Sequence, residues 1–239
     1  MVAYHRLNVL VGTSGYSYKE WKGVFYPQDL KAAQMLRFYA ERFPTVEINN
    51  SFYRMPAPEL VAKWASEVPA TFRFVLKAPR RITHEKRLVG VEDTTSRLLE
   101  VARALGDKQG PFLFQLPPYS KKDAGRLRDF LALLPAGTRC AFEFRDPSWD
   151  DDEVREALRA RGAALCVADT DEEPAGPVVP TAAYGYLRLR RARYDEAALR
   201  AWADRIHAQP WEDAFVFFKH EDEARGPEFA ARLAALLAA

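Results

Sequence analysis

Glu143 and Arg145 stand two residues apart in the apolar run Phe142-Glu143-Phe144-Arg145. On a β-strand that spacing puts both side chains on one side. A carboxylate beside a guanidinium can accept a proton while the cation steadies developing negative charge. Similar endings recur along the chain. Apolar runs close on Thr13-Ser14, Glu47 and Asn49, Lys77, Gln115, Asp169, Arg188 and Arg190, and Lys219-His220. Glu47, Lys77, Glu143, Arg145 and Asp169 are the types that move protons or stabilise charge, and they are the catalytic candidates. In this reading Glu143 or Glu47 is the acid–base group, while Lys77 and Arg145 stabilise anionic charge. Lys77 offers Schiff-base or general-base chemistry if neighbours lower its pKa. As a lone strand-end lysine it is better read as an anion clamp or ion-pair partner.

Substrate-binding candidates surround these residues. Arg80, Arg81, Arg188, Arg190, Arg191, Arg193 and Lys219 make part of the rim positive, and guanidinium groups match the oxygens of phosphate or carboxylate; Arg188, Arg190 and Lys219, with His220 beside them, are the binding candidates there. Thr13, Ser14, Asn49, His84 and Gln115 offer neutral hydrogen bonds. Tyr16, Trp21, Tyr53 and Trp149, with Phe52 beside them, offer ring faces for a sugar or base. The competing account is a structural ion-pair network filling the end of a barrel, with aromatic residues packing the long first loop. Desolvation offsets most of what a buried ion pair gains, which weakens that account.

Metal and cofactor chemistry finds less support. His5 precedes the first strand and His207 lies near a helix end, so His84 and His220 remain and a three-histidine zinc site is excluded. Glu47, Glu143 and Asp169 supply oxygen for a hard cation such as magnesium, a minor alternative. No cofactor is expected; the chain has no phosphate loop or dinucleotide fingerprint, and the missing nucleophile elbow argues against a serine hydrolase. The two cysteines, Cys140 and Cys166, have no metal-ligand spacing and read as buried thiols. Strand alternation, counted from inward-facing Glu143 and Asp169, turns both outward.

The elements must bring these residues together. The pattern predicts strands over 8–13, 45–49, 72–77, 111–116, 138–144, 163–169, 183–189 and 213–219. Helices are predicted over 31–42, 58–66, 93–105, 123–134, 152–161, 195–207 and 227–238. Strands apolar on both faces, alternating with helices, imply a parallel sheet covered by helices. About eight strands in 239 residues favour one TIM-type (β/α)8 barrel over the whole chain, 1–239. Its sixth unit is irregular, because three prolines between Asp169 and Tyr184 rule out a helix. In such a barrel all strand ends gather on one face.

A net charge of +2 argues against a protein that coats nucleic acid generally. No apolar run is long enough to span a bilayer, and the first residues lack a signal peptide's apolar stretch, so the expected compartment is the cytoplasm. The oligomeric state stays open.

Several segments resemble one family. Gly12-Thr13-Ser14-Gly15-Tyr16-Ser17-Tyr18 with Trp21 and Phe25-Tyr26-Pro27 is similar to its opening motif. Glu47-Ile48-Asn49-Asn50-Ser51-Phe52-Tyr53-Arg54, Lys77-Ala78 with Ile82-Thr83-His84, Phe114-Gln115-Leu116-Pro117-Pro118, and Phe142-Glu143-Phe144-Arg145 with Trp149 follow in the family's order. The family is the YecE-like group, domain of unknown function 72. The resemblance implies a single TIM-type barrel and no established reaction. Two rim sectors differ from the family's commoner pattern. Arg188-Leu189-Arg190-Arg191 stands where many members have Arg-Leu-His-Gly, and Lys219-His220-Glu221-Asp222 where many have paired asparagines. Substrates of other members therefore do not transfer.

The leading expectation is an enzyme acting on a small anionic substrate, phosphorylated or acidic and sugar-like, with hydrolysis, isomerisation and elimination all open. The first alternative is nucleic-acid processing or binding by the basic, aromatic rim. The second is a ligand-binding module without turnover. Fold alone does not choose among them.

Overall fold

The computed structural model describes residues 7–219 and 224–238. Eight parallel strands close into a barrel in sequence order. They are β1 (Asn8–Ser14), β2 (Thr45–Ile48), β3 (Arg73–Lys77), β4 (Gln109–Gln115), β5 (Cys140–Glu143), β6 (Ala164–Asp169), β7 (Tyr184–Leu189) and β8 (Asp213–Phe218). The helices are α1 (Met35–Ala40), α2 (Asn50–Tyr53), α3 (Pro58–Ser66), α4 (Glu92–Ala102), α5 (Ala124–Leu133), α6 (Asp152–Arg161), α7 (Glu196–His207) and α8 (Arg225–Ala238). This is the expected TIM-type barrel. No α-helix links β6 to β7, so the sixth unit is irregular as its prolines require. Among the described residues no helix is long and apolar enough to cross a membrane.

Local chemistry sets the helix ends. Asp123, Asp151 and Asp195 each cap a helix by accepting a backbone N–H, from Arg126, Glu153 and Ala198. Gly162 closes α6 in the left-handed conformation, φ 62°. Some helices are shorter than expected. The segment 31–42 opens with a 3-10 turn at Ala32–Gln34 before α1, and α4 gives way to 3-10 turns over Arg103–Lys108. Two short pieces have too few residues to show a period: α2, and a π-helical turn at Arg81–Glu85.

The barrel is filled, not hollow. Leu10, Val75, Leu113, Ala141, Ala164, Cys166, Tyr186, Phe215 and Phe217 pack inside it. The larger apolar cluster lies between strands and helices. At the N-terminal end, Asp213 accepts hydrogen bonds from Asn8 and Arg139, and Arg139 lies over the Tyr184 ring.

Candidate active site at the barrel mouth

Register decides which strand-end residues reach the mouth, because laterally paired residues in a sheet face the same side. Ser14 pairs with Glu47, Gln115 with Glu143, and Lys77 with Leu113 of the inner core. All five point inward. Cys166 pairs with Tyr186 and Ala168 with Arg188, which places Asp169 beside Leu189 on the outer face. The assignment of Cys166 and Asp169 is therefore the reverse of that expected: the thiol is inside and the carboxylate outside. Cys140 does face the helices, in the outer cluster. Thr13 is also outside, paired with Val46; its hydroxyl and amide both bond the Tyr39 hydroxyl.

Arg188 organises the inner site. It lies across the barrel with its side chain only 2% exposed, and bonds Glu47 through Nη2 at 2.8 Å and Glu143 through Nη1 at 2.6 Å. Glu47 also accepts from Ser14 Oγ at 2.8 Å and Tyr186 OH at 2.6 Å. Glu143 also accepts from Gln115 Nε2 at 2.7 Å, Arg190 Nη2 at 2.9 Å and Arg145 Nε at 3.3 Å. Lys77 Nζ donates to Gln115 Oε1 at 2.7 Å and lies 4.3 Å from the centre of the Phe52 ring. His84 completes this side, its ring edge-on to Phe52. Tyr186 has no counterpart among the sequence candidates. It reads as core, yet it lies two residues before Arg188 and so faces the same way.

Electrostatics assigns different roles to these groups. Burial alone would raise the two glutamates. Arg188, with Tyr186 and Ser14, overcomes it at Glu47; Arg188, Arg190 and Arg145 overcome it at Glu143, so both are held below the ordinary carboxylate range. Burial and then the Arg188 charge push Lys77 down to about 8. Burial, Lys77 and Arg145 push His84 down to about 4, so its ring is neutral at pH 7. Both glutamates are thus ionised, with their oxygens engaged. Lys77, at about 8, has the pKa nearest neutrality among these groups.

Other expected site residues have structural work. Asp169 lies outside the barrel, where it accepts from the Ala175 amide, Arg191 Nε and Tyr194 OH. Trp21 is buried in the first loop against Tyr18 and Phe25. Trp149 stacks on Phe144 at 4.3 Å, donates its indole N–H to the Ser120 carbonyl and is buried, so it offers no ring face to a ligand. Tyr16 is half-buried and lines a small cavity of about 90 Å³ with Asn49. Tyr53 is 79% exposed outside the barrel. Lys219 is exposed just beyond β8, and His220 lies outside the described residues. Arg188 is too deep to grip a substrate at the rim. The three carboxylates read as a magnesium set do not converge, since Arg188 separates Glu47 from Glu143 and Asp169 faces away. Among the described residues no group of three histidine, cysteine, aspartate or glutamate side chains gathers for a metal.

A closed (β/α)8 barrel with a cationic, carboxylate-anchored mouth is thus the class of protein that fold and site define. The chain belongs to the family described as "Protein of unknown function DUF72", whose model matches residues 10–239. It is 28% identical over 141 residues to the UPF0759 protein YecE of Escherichia coli K12, covering 56% of this chain and 52% of that protein. It is 27% identical over 166 residues to the UPF0759 protein YunF of Bacillus subtilis, covering 64% and 58%. The matched region spans little more than half the length of these curated relatives. Among solved structures, a DUF72 family protein of Thermotoga maritima superposes with a TM-score of 0.77 at 25% identity, covering 97% of this chain and all of that one. One from Enterococcus faecalis gives 0.83 at 18% identity, covering 97% and 96%, and this likeness concerns the fold.

Proposed function

We propose that the barrel mouth binds a small anionic molecule, phosphorylated or acidic and sugar-like, and that Lys77 carries a proton transfer on it. The observation behind this reading is a charge imbalance. Lys77, Arg145, Arg188 and Arg190 meet two carboxylates, Glu47 and Glu143, whose oxygens are already engaged. The excess positive charge lies toward solvent: Arg145 is 36% exposed and Arg190 15%, above the fully buried Arg188. At the mouth, the buried Nε of Arg190 has no hydrogen-bond partner among the described residues. Buried donors without acceptors are costly, and an anionic oxygen relieves that cost.

In this reading Glu143 is an anchor that orients Arg145, Arg190 and Gln115, and the acid–base role falls to Lys77. The neutral amine accepts a proton and the ammonium steadies the anion that results. Proton transfer of this kind asks for no cofactor.

Thermal unfolding against sugar phosphates, organic acids and inorganic phosphate tests the proposal. A ligand at about one hundred times its dissociation constant should stabilise the protein by roughly 2.7 kcal/mol. Lys77→Met and Arg190→Met should each abolish that shift while remaining folded. A shift that survives both substitutions would place the ligand elsewhere and overturn the reading. Binding that survives in wild type with no turnover of any bound compound would leave a ligand-binding module in place of an enzyme.

A further inference from the structure

A groove on the outer flank of the barrel has a different chemistry from the mouth. It encloses about 710 Å³ between the segment after β2 and helices α3 and α4. That is within the roughly 300–1,000 Å³ usual for small-molecule sites. Tyr53 and Trp64 supply aromatic faces, Met55 and Leu60 apolar surface, and Arg54 and Arg97 positive charge; no acidic residue lines it. Neither arginine has an ion-pair partner among the described residues. Lys77 does not line it.

Each ring has an aromatic neighbour. Tyr53 is 79% exposed, yet its ring meets Phe52 edge-on at 5.0 Å. Phe52 is fixed in turn between His84 and Lys77. Trp64 lies nearly parallel to Phe74 at 6.4 Å. An aromatic ligand would therefore add its ring to two aromatic pairs already present. Two arginines beside those faces, with no acid to neutralise them, call for negative charge on the same ligand.

We infer that this groove binds an aromatic anion: a planar ring lying against Tyr53 and Trp64, with a phosphate or carboxylate held by Arg54 and Arg97. The chemistry is shared by mononucleotides and by simple aryl phosphates. Calorimetric titration with AMP, phenyl phosphate, adenosine and inorganic phosphate separates the sources. Binding of both AMP and phenyl phosphate indicates a general aryl-anion site, and AMP alone a nucleotide site. In either case adenosine and inorganic phosphate should bind at least about tenfold more weakly, a difference of about 1.4 kcal/mol. Tyr53→Ala and Arg97→Ala, both at exposed positions, should each weaken binding by about tenfold or more, and Arg190→Met, at the mouth, should leave it unchanged. The inference is overturned if inorganic phosphate binds as well as AMP, or if the Tyr53 and Arg97 variants bind like wild type. Loss of binding in Arg190→Met, or binding of short oligonucleotides without AMP, would overturn it equally.

Discussion

Lys77 is the residue on which the proposed chemistry turns, and its energetics can be separated from its role. Its folded-state pKa of about 8 lies below the ordinary 10.5. Between those values the unfolded chain binds more protons than the folded one, so stability rises with pH across that window. Below about 8 the full penalty of holding a buried ammonium beside Arg188 applies. Lys77→Met removes the charge and retains a flexible apolar chain against Phe52. The variant should therefore have a higher Tm than wild type at pH 7. It should also lose the rise in stability between about pH 8 and 10.5. A Tm below wild type at pH 7 would mean that the Gln115 and Phe52 contacts outweigh desolvation, and that Lys77 is a structural group. Glu143 illustrates the opposite case. Its position on a strand end was legible in the sequence, but its role was not. Whether a carboxylate is a base or an anchor depends on who donates to it, and Gln115, Arg145, Arg188 and Arg190 come from three different strand ends.

The element where sequence reasoning fails is β6, and the reason is physical. Ala164-Leu165-Cys166-Val167-Ala168 is apolar at every position, so it carries no alternation from which to read a facing direction. β1 has the same defect at Val11-Gly12-Thr13. Where a charge sits within an apolar strand, as in β2, β3, β5 and β7, the expected facing and the structure agree. The loop after β6 was legible as irregular from its prolines, but not its fastening. Asp169, fully buried on the outer face, ties that loop through the Ala175 amide to Arg191 and Tyr194 beyond β7. Asp169→Asn keeps the size of the side chain, but it replaces one acceptor oxygen with a donor and removes the charge facing Arg191. Lost or unsatisfied bonds of this kind cost about 1–3 kcal/mol. Limited proteolysis should cut between residues 170 and 183 faster in the variant, with the barrel fragments otherwise intact. Equal cleavage rates would show that Asp169 does not hold the loop, and would reopen a role for it in binding.

At the scale of the whole molecule the polar ring acts as a clasp on the closed barrel. The seams between strands are unequal. β1 and β8 share six register partners, whereas β5 and β6 share two. The weak seam is bridged at the mouth, because Arg188 and Arg190 of the β7 end reach over β6 to Glu143 of β5. Arg188 extends the same bridge to Glu47 of β2. A buried pair gains little net stability over an apolar replacement, but removing one partner leaves charge uncompensated, at a cost of about 3–5 kcal/mol. Arg188→Met should incur a cost of that order in urea unfolding, and the place where the barrel opens should move. Hydrogen exchange should show β6 amides losing protection first, while the β1 and β8 amides stay slow, because local opening follows the least-supported contiguous unit. Protection lost equally from all eight strands would mean that the barrel opens as one unit and that the ring is no clasp. If β6 loosens while the small-anion response survives, the clasp and the binding surface are separable: Arg188 belongs to the first, Lys77 to the second, and Arg190 to both.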